Sequence, residues 1–346
     1  MKKEFEVVYK EIELPLNKLK GKTILVTGAL GMLSSYLIEF ISFLNDEYEF
    51  NTKLVLLARD KKRLISKYPI DRYNVEYIVS DISHEMKFDG NLDFILHLAG
   101  NSSPYHIKNN PIDIIKTNVL GSLNVVELAK NTGATKVLFS STREVYGNVE
   151  QENNTIFEEN FGSFNPLDAR SCYPESKRMG ENIFKSASVQ YGIKFNVVRI
   201  AHSYGPGMFV SDGRVMADFI GNAINGEDIA LLSDGEAVRS FCYVADAITA
   251  MLLVLCEGDS GEAYNIANEK EEIKVFELAK KVASFSENIN VTRIEPKEPS
   301  VYCAYERTAL STQKVEGLGW KPLFNLDYGL KSTFEHLTGS IVNDGN

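Results

Sequence analysis

Two side chains four residues apart, Tyr173 and Lys177, have the types and spacing needed for acid–base chemistry. A spacing of four places both on one face of a helix. A tyrosine with an unperturbed pKa of about 10 is a poor base at neutral pH, but a nearby ammonium favours the phenolate and lowers that pKa. The pair could therefore take a proton from a hydroxyl group while a hydride leaves the same carbon. Thr142, which follows Ser140 at the end of a predicted buried strand, would hold the oxygen of that hydroxyl group.

A glycine turn early in the chain predicts where a dinucleotide would bind. The turn follows the apolar run Lys22–Thr27, and Ser34 stands where a third glycine is usually found. The first glycine permits a tight turn, the second lets the backbone approach a pyrophosphate, and the helix N-terminus favours that negative charge. Such a turn can also serve chain geometry alone, so it indicates a cofactor only together with the other motifs. The expected cofactor contacts at the turn are Gly28, Leu30, Gly31 and Met32.

The end of the second predicted strand does not decide whether the cofactor carries a phosphate on its ribose 2′-oxygen. Dinucleotide folds that select NAD usually carry Asp or Glu there to bind the ribose 2′-hydroxyl group. This chain has Ala58 at that position, followed by Arg59 and, nearby, Lys61 and Lys62. These basic residues could meet a 2′-phosphate or form a solvated surface loop. We expect NAD as the cofactor without excluding NADP, and Asp81, after the third strand, is a candidate for the adenine side.

Strands and helices alternate along residues 21–200, which predicts an α/β fold with a doubly wound parallel sheet of the Rossmann type. Such sheets bind ligands beyond the carboxyl ends of their strands, and each motif above falls at one of those ends. The predicted strands are Lys22–Thr27, Leu54–Ala58, Val75–Val79, Phe94–Leu98, Lys136–Ser140 and Phe195–Ile200. The predicted helices among them are Met32–Leu44, Ile112–Lys130 and Lys177–Tyr191.

Domain boundaries follow from where this alternation starts and where it loosens. We interpret residues 1–20 as a charged N-terminal extension and residues 21–200 as the dinucleotide-binding domain. Residues 236–267 hold a helical pattern and a strand pattern that would return to the main sheet. Residues 201–235 and 268–346 are expected to form a smaller C-terminal lobe that closes over the substrate.

Composition limits the classes of partner. The chain has 346 residues and a formal net charge of −10, which argues against binding nucleic acid because that requires clustered Lys and Arg. The four cysteines form no CxxC pair and the histidines lack metal-ligand spacing, so no metal site is expected. The N-terminus lacks an apolar signal segment, and no apolar run reaches the ~20 residues that span a bilayer. We therefore expect a cytoplasmic protein without a membrane partner.

Further motifs accompany the glycine turn and the Tyr/Lys pair along the chain. They are His97–Pro104, Asn110–Ile112 with Lys116–Asn118, Ser140–Gly147, Asn165–Arg178, Asp212–Val215, Arg239–Asp246 and Gly317–Pro322. Through these segments the chain resembles the extended short-chain dehydrogenase/reductase superfamily, the group of NAD-dependent epimerases and dehydratases. The resemblance covers roughly residues 20–335. Within that group the chain is most similar to UDP-glucuronate decarboxylases.

This resemblance implies a nucleotide-sugar enzyme that oxidises the sugar at C4, carries out chemistry at C5 or C6 made easier by the new ketone, and then returns the hydride. For a decarboxylase, the substrate is UDP-glucuronate and the product is UDP-xylose. Tyr173 would be the C4 base, Lys177 its activator, Thr142 the hydroxyl holder and Glu144 a second acid/base. The family also suggests a homodimer through helices near residues 112–130 and 177–191.

Contacts to both ligands are expected from the motifs and the resemblance together. Besides the glycine turn, the expected cofactor contacts are Arg59, Asp81, Ile82, Leu98, Ala99, Gly100, Asn118, Ser140, Tyr173 and Lys177. The expected substrate contacts are Ser102, Arg143, His202, Arg214, Val215, Arg239 and Arg307. Among these, the resemblance implies that Arg239 meets the nucleotide diphosphate or the sugar.

Three residues depart from the family pattern and leave the reaction open. Arg143 stands where dehydratases carry an Asp that protonates the leaving C6 hydroxyl group, and where decarboxylases carry a small hydroxyl residue. His202 replaces the usual Asn near the diphosphate, and Ala58 replaces the usual acidic residue of the second strand. A 4-epimerase, a 4,6-dehydratase, a simple carbonyl reductase and a non-catalytic dinucleotide-binding sensor therefore remain alternatives to a decarboxylase.

Overall fold

The computed structural model describes residues 1–149, 155–210, 213–231, 233–293 and 309–344. Within these residues the strands are Thr23–Thr27 (β1), Lys53–Ala58 (β2), Val75–Val79 (β3), Phe94–His97 (β4), Lys136–Thr142 (β5), Thr155–Ile156 (β6), Phe195–Ile200 (β7), His202–Tyr204 (β8), Ile229–Leu231 (β9), Val238–Tyr243 (β10), Glu262–Ile266 (β11), Glu272–Lys274 (β12), Val291–Arg293 (β13) and Ala309–Leu310 (β14). The helices are Lys2–Leu16 (α1), Met32–Tyr48 (α2), Lys61–Lys67 (α3), Pro104–Asn109 (α4), Pro111–Thr132 (α5), Cys172–Tyr191 (α6), Val215–Asn225 (α7), Val244–Glu257 (α8), Val275–Ala283 (α9), Gln313–Glu316 (α10) and Leu326–Asp344 (α11).

Seven of the described strands form one parallel sheet in the order β11-β7-β5-β4-β1-β2-β3. The chain adds β2 and β3 on one side of β1, then crosses to build β4, β5, β7 and β11 on the other. This change of direction between β1 and β4 is the switch point at which doubly wound sheets bind their ligands. The predicted α/β fold class is confirmed.

The central strands are buried on both faces, which explains their continuous apolar sequences. Along β1, Ile24 and Val26 belong to the core that contains residues of α2 and α8, whereas Leu25 faces the core that contains residues of α5 and α6. The same alternation recurs in β2, where Leu54 and Leu56 face the first core. Helices on both faces therefore hold the sheet rigid and fix the positions of its strand ends.

A smaller set of elements lies next to the carboxyl ends of the sheet. β12, β10 and β8 form a three-stranded sheet, while β13 pairs with β9 and β14 pairs with β6. β10 ends at Tyr243 and α8 begins at Val244, so no residue separates this strand from a helix that packs on the main sheet. Residues 236–267, expected to return to the main sheet, thus contribute β11 to that sheet and β10 to the small one.

Residues 1–20, interpreted from the sequence as an extension, form a helix that packs against the main core. Phe5, Val8 and Ile12 of α1 are buried together with residues of α2 and α8. The apolar positions recur at intervals of three and four, which is the spacing of one helical face. This face explains why a segment with many charged residues is nevertheless part of the folded domain.

A buried carboxylate on α1 joins three separate parts of the chain. Glu4 is 3% exposed and accepts hydrogen bonds from the hydroxyl groups of Tyr36 in α2, Tyr243 in β10 and Tyr328 in α11. The Tyr243 and Tyr328 oxygens lie 3.0 and 2.9 Å from Glu4 Oε2. Burial and the charge of Glu4 raise the pKa of Tyr328 to about 12. Glu4 therefore links the dinucleotide side, the small sheet and the C-terminal helix.

Candidate active site

A cleft of about 1670 Å³ lies at the carboxyl ends of the central strands, between the sheet and the small lobe. Its lining includes Thr142 at the end of β5, Ile200 at the end of β7 and Phe241 of β10. The sequence-predicted site residues in this lining are Gly31, Met32, Leu98, Gly100, Ser102, Ser140, Thr142, Arg143, Glu144, Tyr173, Lys177, His202, Arg214, Val215 and Arg239. Folding thus brings both ligand sets, predicted from distant segments, into one space.

The glycine turn has the backbone geometry that a dinucleotide pyrophosphate requires. Gly28 has φ +68°, and a Cβ there would come within 2.8 Å of the Ala99 Cα atom. Gly31 is the N-cap of α2 and offers no side chain to the first N–H groups of the helix. The Tyr68 hydroxyl donates to the Ala29 carbonyl at 3.1 Å and so supports the turn. The turn therefore fits the phosphates of a nicotinamide dinucleotide, held at a helix N-terminus.

Tyr173 and Lys177 lie on the first two turns of α6, and both line the cleft. Tyr173 is 6% exposed and Lys177 is 4% exposed. The Lys177 ammonium donates to the Ser140 carbonyl at 2.7 Å. A Cβ at Gly100 would lie 3.1 Å from that ammonium, so the glycine provides the space it occupies. The helix begins five residues earlier than the sequence pattern indicated, which places both side chains in regular helix.

The acidity of Tyr173 differs from the sequence-based expectation. Burial raises the pKa of Tyr173, and the Glu144 carboxylate raises it further. A hydrogen bond with Thr142 and the positive charge of Arg214 act in the opposite direction but do not outweigh burial. The expectation of a lowered pKa is therefore wrong for the protein without ligands, because burial of the phenol outweighs the groups that lower it.

Lys177 sits among groups that control its charge and position. Burial lowers the pKa of Lys177 to about 8, although Glu181 one turn later raises it. Asn118 donates to Ser176 at 2.8 Å, and its own side-chain oxygen is buried without a partner among the described residues. His97 lies beneath, where burial and the Lys177 charge lower its pKa to about 3. Lys177 is therefore held by the Ser140 carbonyl oxygen near a neutral histidine.

A bidentate ion pair that sequence reasoning missed holds the predicted second acid/base. Arg170 donates to both carboxylate oxygens of Glu144, at 2.7 and 3.1 Å. Such paired hydrogen bonds fix the plane of the carboxylate. Arg170 lies in the motif segment Asn165–Arg178, but the sequence did not identify it as a site residue. Its place three residues before Tyr173 was the one available signal, since the pairing itself spans 26 residues.

Arg143 and His202, the two unusual residues of the sequence, contact each other in the cleft. Arg143 Nη1 lies 3.3 Å from His202 Nε2. A guanidinium only donates hydrogen bonds, so Nε2 accepts and the proton of the neutral ring resides on Nδ1. Burial lowers the pKa of His202 to about 3, and the charges of Arg143, Arg239, Arg214 and Arg170 act in the same direction. Four arginines thus create a positive potential at His202.

Other predicted cofactor contacts lie away from the lining of this cleft. Arg59, just after β2, and Asp81, just after β3, form an ion pair with 3.6 Å between Nη1 and Oδ2. Ile82 is 5% exposed and packs against Gly121 of α5. These residues surround the sheet edge where the adenosine half of a dinucleotide is expected.

Among the described residues, no group of three or more His, Cys, Asp or Glu side chains could hold a metal ion. Within the same part of the chain, no helix has both the length and the apolar character needed to cross a membrane. Arg307, an expected substrate contact, lies outside the described residues.

Comparison with known proteins assigns the family. Residues 24–267 match the model of the NAD dependent epimerase/dehydratase family. The chain belongs to this family. This epimerase/dehydratase family member is 35% identical over 313 residues to UDP-glucuronic acid decarboxylase 6 of Arabidopsis thaliana, covering 89% of this chain and 86% of that protein. It is 31% identical over 334 residues to UDP-glucuronic acid decarboxylase 1 of Xenopus tropicalis, covering 96% and 76%. The family predicted from the sequence motifs is confirmed.

Solved structures show the same fold as this epimerase/dehydratase family member. UDP-glucose 4-epimerase of Thermotoga maritima superimposes with a TM-score of 0.77 at 25% identity, covering 92% of this chain and 99% of that chain. UDP-N-acetylglucosamine 4-epimerase of Methanobrevibacter ruminantium M1 gives a TM-score of 0.77 at 23% identity, covering 93% and 99%. The likeness extends through both the sheet and the small lobe.

Proposed function

We propose that the chain oxidises C4 of a nucleotide sugar with a bound nicotinamide dinucleotide, and that it converts UDP-glucuronate to UDP-xylose. The observation that carries this proposal is the convergence of four arginine charges on His202, in the cleft that Tyr173 also lines. A nucleotide sugar with a carboxylate at C5 bears negative charge at both its diphosphate and its sugar. Relatives named UDP-glucuronic acid decarboxylase cover nearly the whole chain, which supports the same substrate.

The first stage of the reaction requires a base at the sugar C4 hydroxyl group. Tyr173 would take that proton, and Thr142, which hydrogen-bonds Tyr173, would hold the sugar oxygen. The ammonium of Lys177, held by the Ser140 carbonyl, would supply positive charge close to Tyr173. A nicotinamide dinucleotide, when bound, would supply the acceptor for the hydride from C4 and would later return it. To act as this base Tyr173 must be in its phenolate form, which the nearby charges of Arg214 and Arg170 favour, and the proton that it takes up is given back in the return step.

The second stage breaks the bond between C5 and its carboxylate. A ketone at C4 can accept the electron pair that this bond leaves behind, so carbon dioxide departs and an enolate remains. Glu144, held by Arg170, would pass a proton from solvent water to C5. Arg143 presents a guanidinium instead of an acid group beside Thr142, which disfavours elimination of a C6 hydroxyl group as in a dehydratase.

Product analysis tests this proposal directly. Purified protein would be incubated separately with UDP-glucuronate and with UDP-glucose, and nucleotide products and carbon dioxide would be measured by mass spectrometry. We expect a UDP-pentose and carbon dioxide from UDP-glucuronate alone, with no net consumption of cofactor. Release of UDP-galactose or of a 4-keto-6-deoxy sugar from UDP-glucose would instead indicate an epimerase or a dehydratase.

The Tyr173→Phe variant separates an enzyme from a dinucleotide-binding sensor. Loss of a positioned general base lowers rates by typically 10²–10⁴-fold, and we expect a fall in that range. Tyr191→Phe, at the exposed end of the same helix, is the matched control and should keep full activity. Unchanged activity in Tyr173→Phe would exclude the proposed mechanism.

We also propose a homodimer in the cytoplasm. Exposed apolar side chains lie on the adjacent helices α5 and α6: Ile112, Ile115, Leu120 and Leu123 of α5 and Met179 of α6. A second copy of the chain would cover them through the equivalent helices. Light scattering is expected to give twice the 38.7 kDa chain mass, and Leu123→Arg is expected to reduce it to the single mass.

A further inference from the structure

The end of β2 lacks the carboxylate that usually binds the ribose of NAD. Ala58 occupies the last position of this strand, and Asp60 follows two residues later. Asp60 is the N-cap of α3, and its carboxylate accepts the Arg63 N–H group at 3.0 Å. The carboxylate is thereby turned to the helix end. Ala58 therefore offers no side-chain acceptor to a ribose hydroxyl group, and one oxygen of Asp60 is engaged by the helix end.

Arg59 directly follows Ala58 at the end of β2. Its guanidinium lies 3.6 Å from Asp81, and the side chain is 80% exposed. Burial raises the pKa of Asp81, but hydrogen bonds from Ser83 and the charge of Arg59 outweigh it and keep the pKa low. Asp81 thus remains ionised and orients the guanidinium across the ends of β2 and β3. An exposed arginine at this edge can bind a phosphate and stack on an adenine.

The basic residues around Arg59 lie next to the dinucleotide turn. Arg63 lies over the Phe209 ring at 5.8 Å, and Phe209 directly follows Met208, which lines the main cleft. Lys67 donates at 2.7 Å to Ser35 in the first turn of α2. The remaining basic side chains of this short segment, Lys61 and Lys62, are exposed. In a chain with formal net charge −10, this is a local positive region beside the glycine turn.

We propose that the adenosine end of the cofactor site binds a dinucleotide with a phosphate on the ribose 2′-oxygen, with Arg59 as the principal phosphate contact. The inference rests on the proposed dinucleotide site but is independent of the sugar chemistry. It differs from the cofactor named in the family description, because the residues at the end of β2 in this chain fit a phosphate better than a free hydroxyl group.

Binding of two small nucleotides tests this inference without any turnover. Full-length protein stripped of bound nucleotide would be titrated calorimetrically with 2′,5′-ADP and, in parallel, with 5′-ADP. We expect 2′,5′-ADP to bind roughly 10- to 100-fold more tightly, the range for charged hydrogen bonds of 1.5–3 kcal/mol. The advantage should shrink as salt is raised, since exposed charges are screened.

Two variants assign that preference to the proposed residue. Arg59→Ala is expected to remove most of the advantage of 2′,5′-ADP over 5′-ADP, because a loss of adenine stacking weakens both nucleotides equally and cancels in their ratio. Lys87→Ala, which removes an equally exposed positive charge paired with Glu85, should leave both affinities unchanged. Equal binding of the two nucleotides, or tighter binding of 5′-ADP, would overturn the inference while leaving the dinucleotide site intact. Failure of both nucleotides to bind would overturn the dinucleotide site as well.

Discussion

Arg143 provides a test of whether the cleft selects a substrate that carries a carboxylate. Replacing it with Ser removes the guanidinium but keeps a small polar side chain. We expect the KM for UDP-glucuronate to rise roughly 10- to 100-fold, as for loss of one charged hydrogen bond, with a smaller change in kcat. Because the pKa of His202 is about 3, its ring stays neutral and the effect should be constant between pH 6 and 8.

Two control measurements test this interpretation of Arg143. Arg72→Ser removes an exposed arginine that lies over the Tyr73 ring, so it should leave the kinetic constants unchanged. Binding of UDP, which lacks the sugar, reports contacts to the diphosphate alone. An equal loss of affinity for UDP and for UDP-glucuronate in Arg143→Ser would show that Arg143 does not bind the sugar carboxylate.

Single residues were predictable where a local pattern carries the chemistry. The spacing of Tyr173 and Lys177 placed them on one helix face, and both line the cleft. The pKa of Tyr173 was predicted wrongly because burial depends on how distant segments pack, which the local pattern does not contain. The pairing of Arg170 with Glu144 was missed for the same reason: its partner lies on a different element.

Gly28→Ala tests the glycine turn as an element. Ala at φ +68° costs about 1–2 kcal/mol, and its Cβ would also meet the Ala99 backbone at 2.8 Å. We expect a larger loss of stability than the conformational cost alone, together with at least tenfold weaker dinucleotide binding. Chemical denaturation and calorimetric titration would measure the two effects.

The control for Gly28 is Gly133→Ala at the C-cap of α5. Gly133 has φ +66°, and a Cβ there would meet nothing within 4 Å. This variant therefore shows the conformational cost by itself and should leave dinucleotide binding unchanged. Equal losses of stability in both variants would show that close approach of Ala99 does not matter.

Glu4 of helix α1 provides a prediction about how this helix stabilises the fold. Glu4→Ala leaves the hydroxyl groups of Tyr36, Tyr243 and Tyr328 without their common acceptor. Loss of a charged hydrogen-bond acceptor in a buried site costs about 2–4 kcal/mol of unfolding free energy. Glu13→Ala removes an exposed carboxylate with one tyrosine partner on the same helix and should change stability by less than about 1 kcal/mol. A similar effect of both variants in urea denaturation would contradict the role of Glu4.

Elements with strong patterns were predicted well, and their ends less so. Apolar β-branched runs identified the central strands because those strands are buried on both faces, as for β1. The helix at Cys172–Tyr191 starts earlier than predicted because Pro174 fits the first turn of a helix, where no backbone N–H group is needed. Helix α1 was not predicted because its buried apolar side chains form only a narrow stripe among many charged residues.

The stability of the whole molecule is expected to depend on the protonation of Asp246. Asp246 is fully buried at the junction of α8 with the C-terminal segment, and it accepts the Leu323 N–H group at 2.7 Å. Burial raises its pKa to about 7, against hydrogen bonds from Leu323 and Phe324 that lower it. The folded protein therefore binds an extra proton between about pH 4 and pH 7, relative to the unfolded chain. Stability from this group is present at low pH and is lost as pH rises through about 7.

Asp246→Asn removes this titration while keeping the acceptor oxygen. We expect the decline of unfolding free energy between pH 5 and pH 8 to be about 2–4 kcal/mol smaller in this variant than in the unmodified chain. Asp327→Asn, an exposed aspartate paired with Lys281, should leave the decline as it is. Urea denaturation at several pH values gives the slopes, and identical slopes in all three proteins would contradict the prediction.

The direct junction between β10 and α8 limits how the two lobes can move. A strand that passes into a helix without a loop offers no flexible residue about which the lobes could rotate. The hydrogen bonds to Glu4 add a second point at which both lobes are fixed. A hinge-bending cycle of opening and closing is therefore disfavoured. Ligands would then enter and leave chiefly through local rearrangement of side chains and loops at the mouth of the cleft.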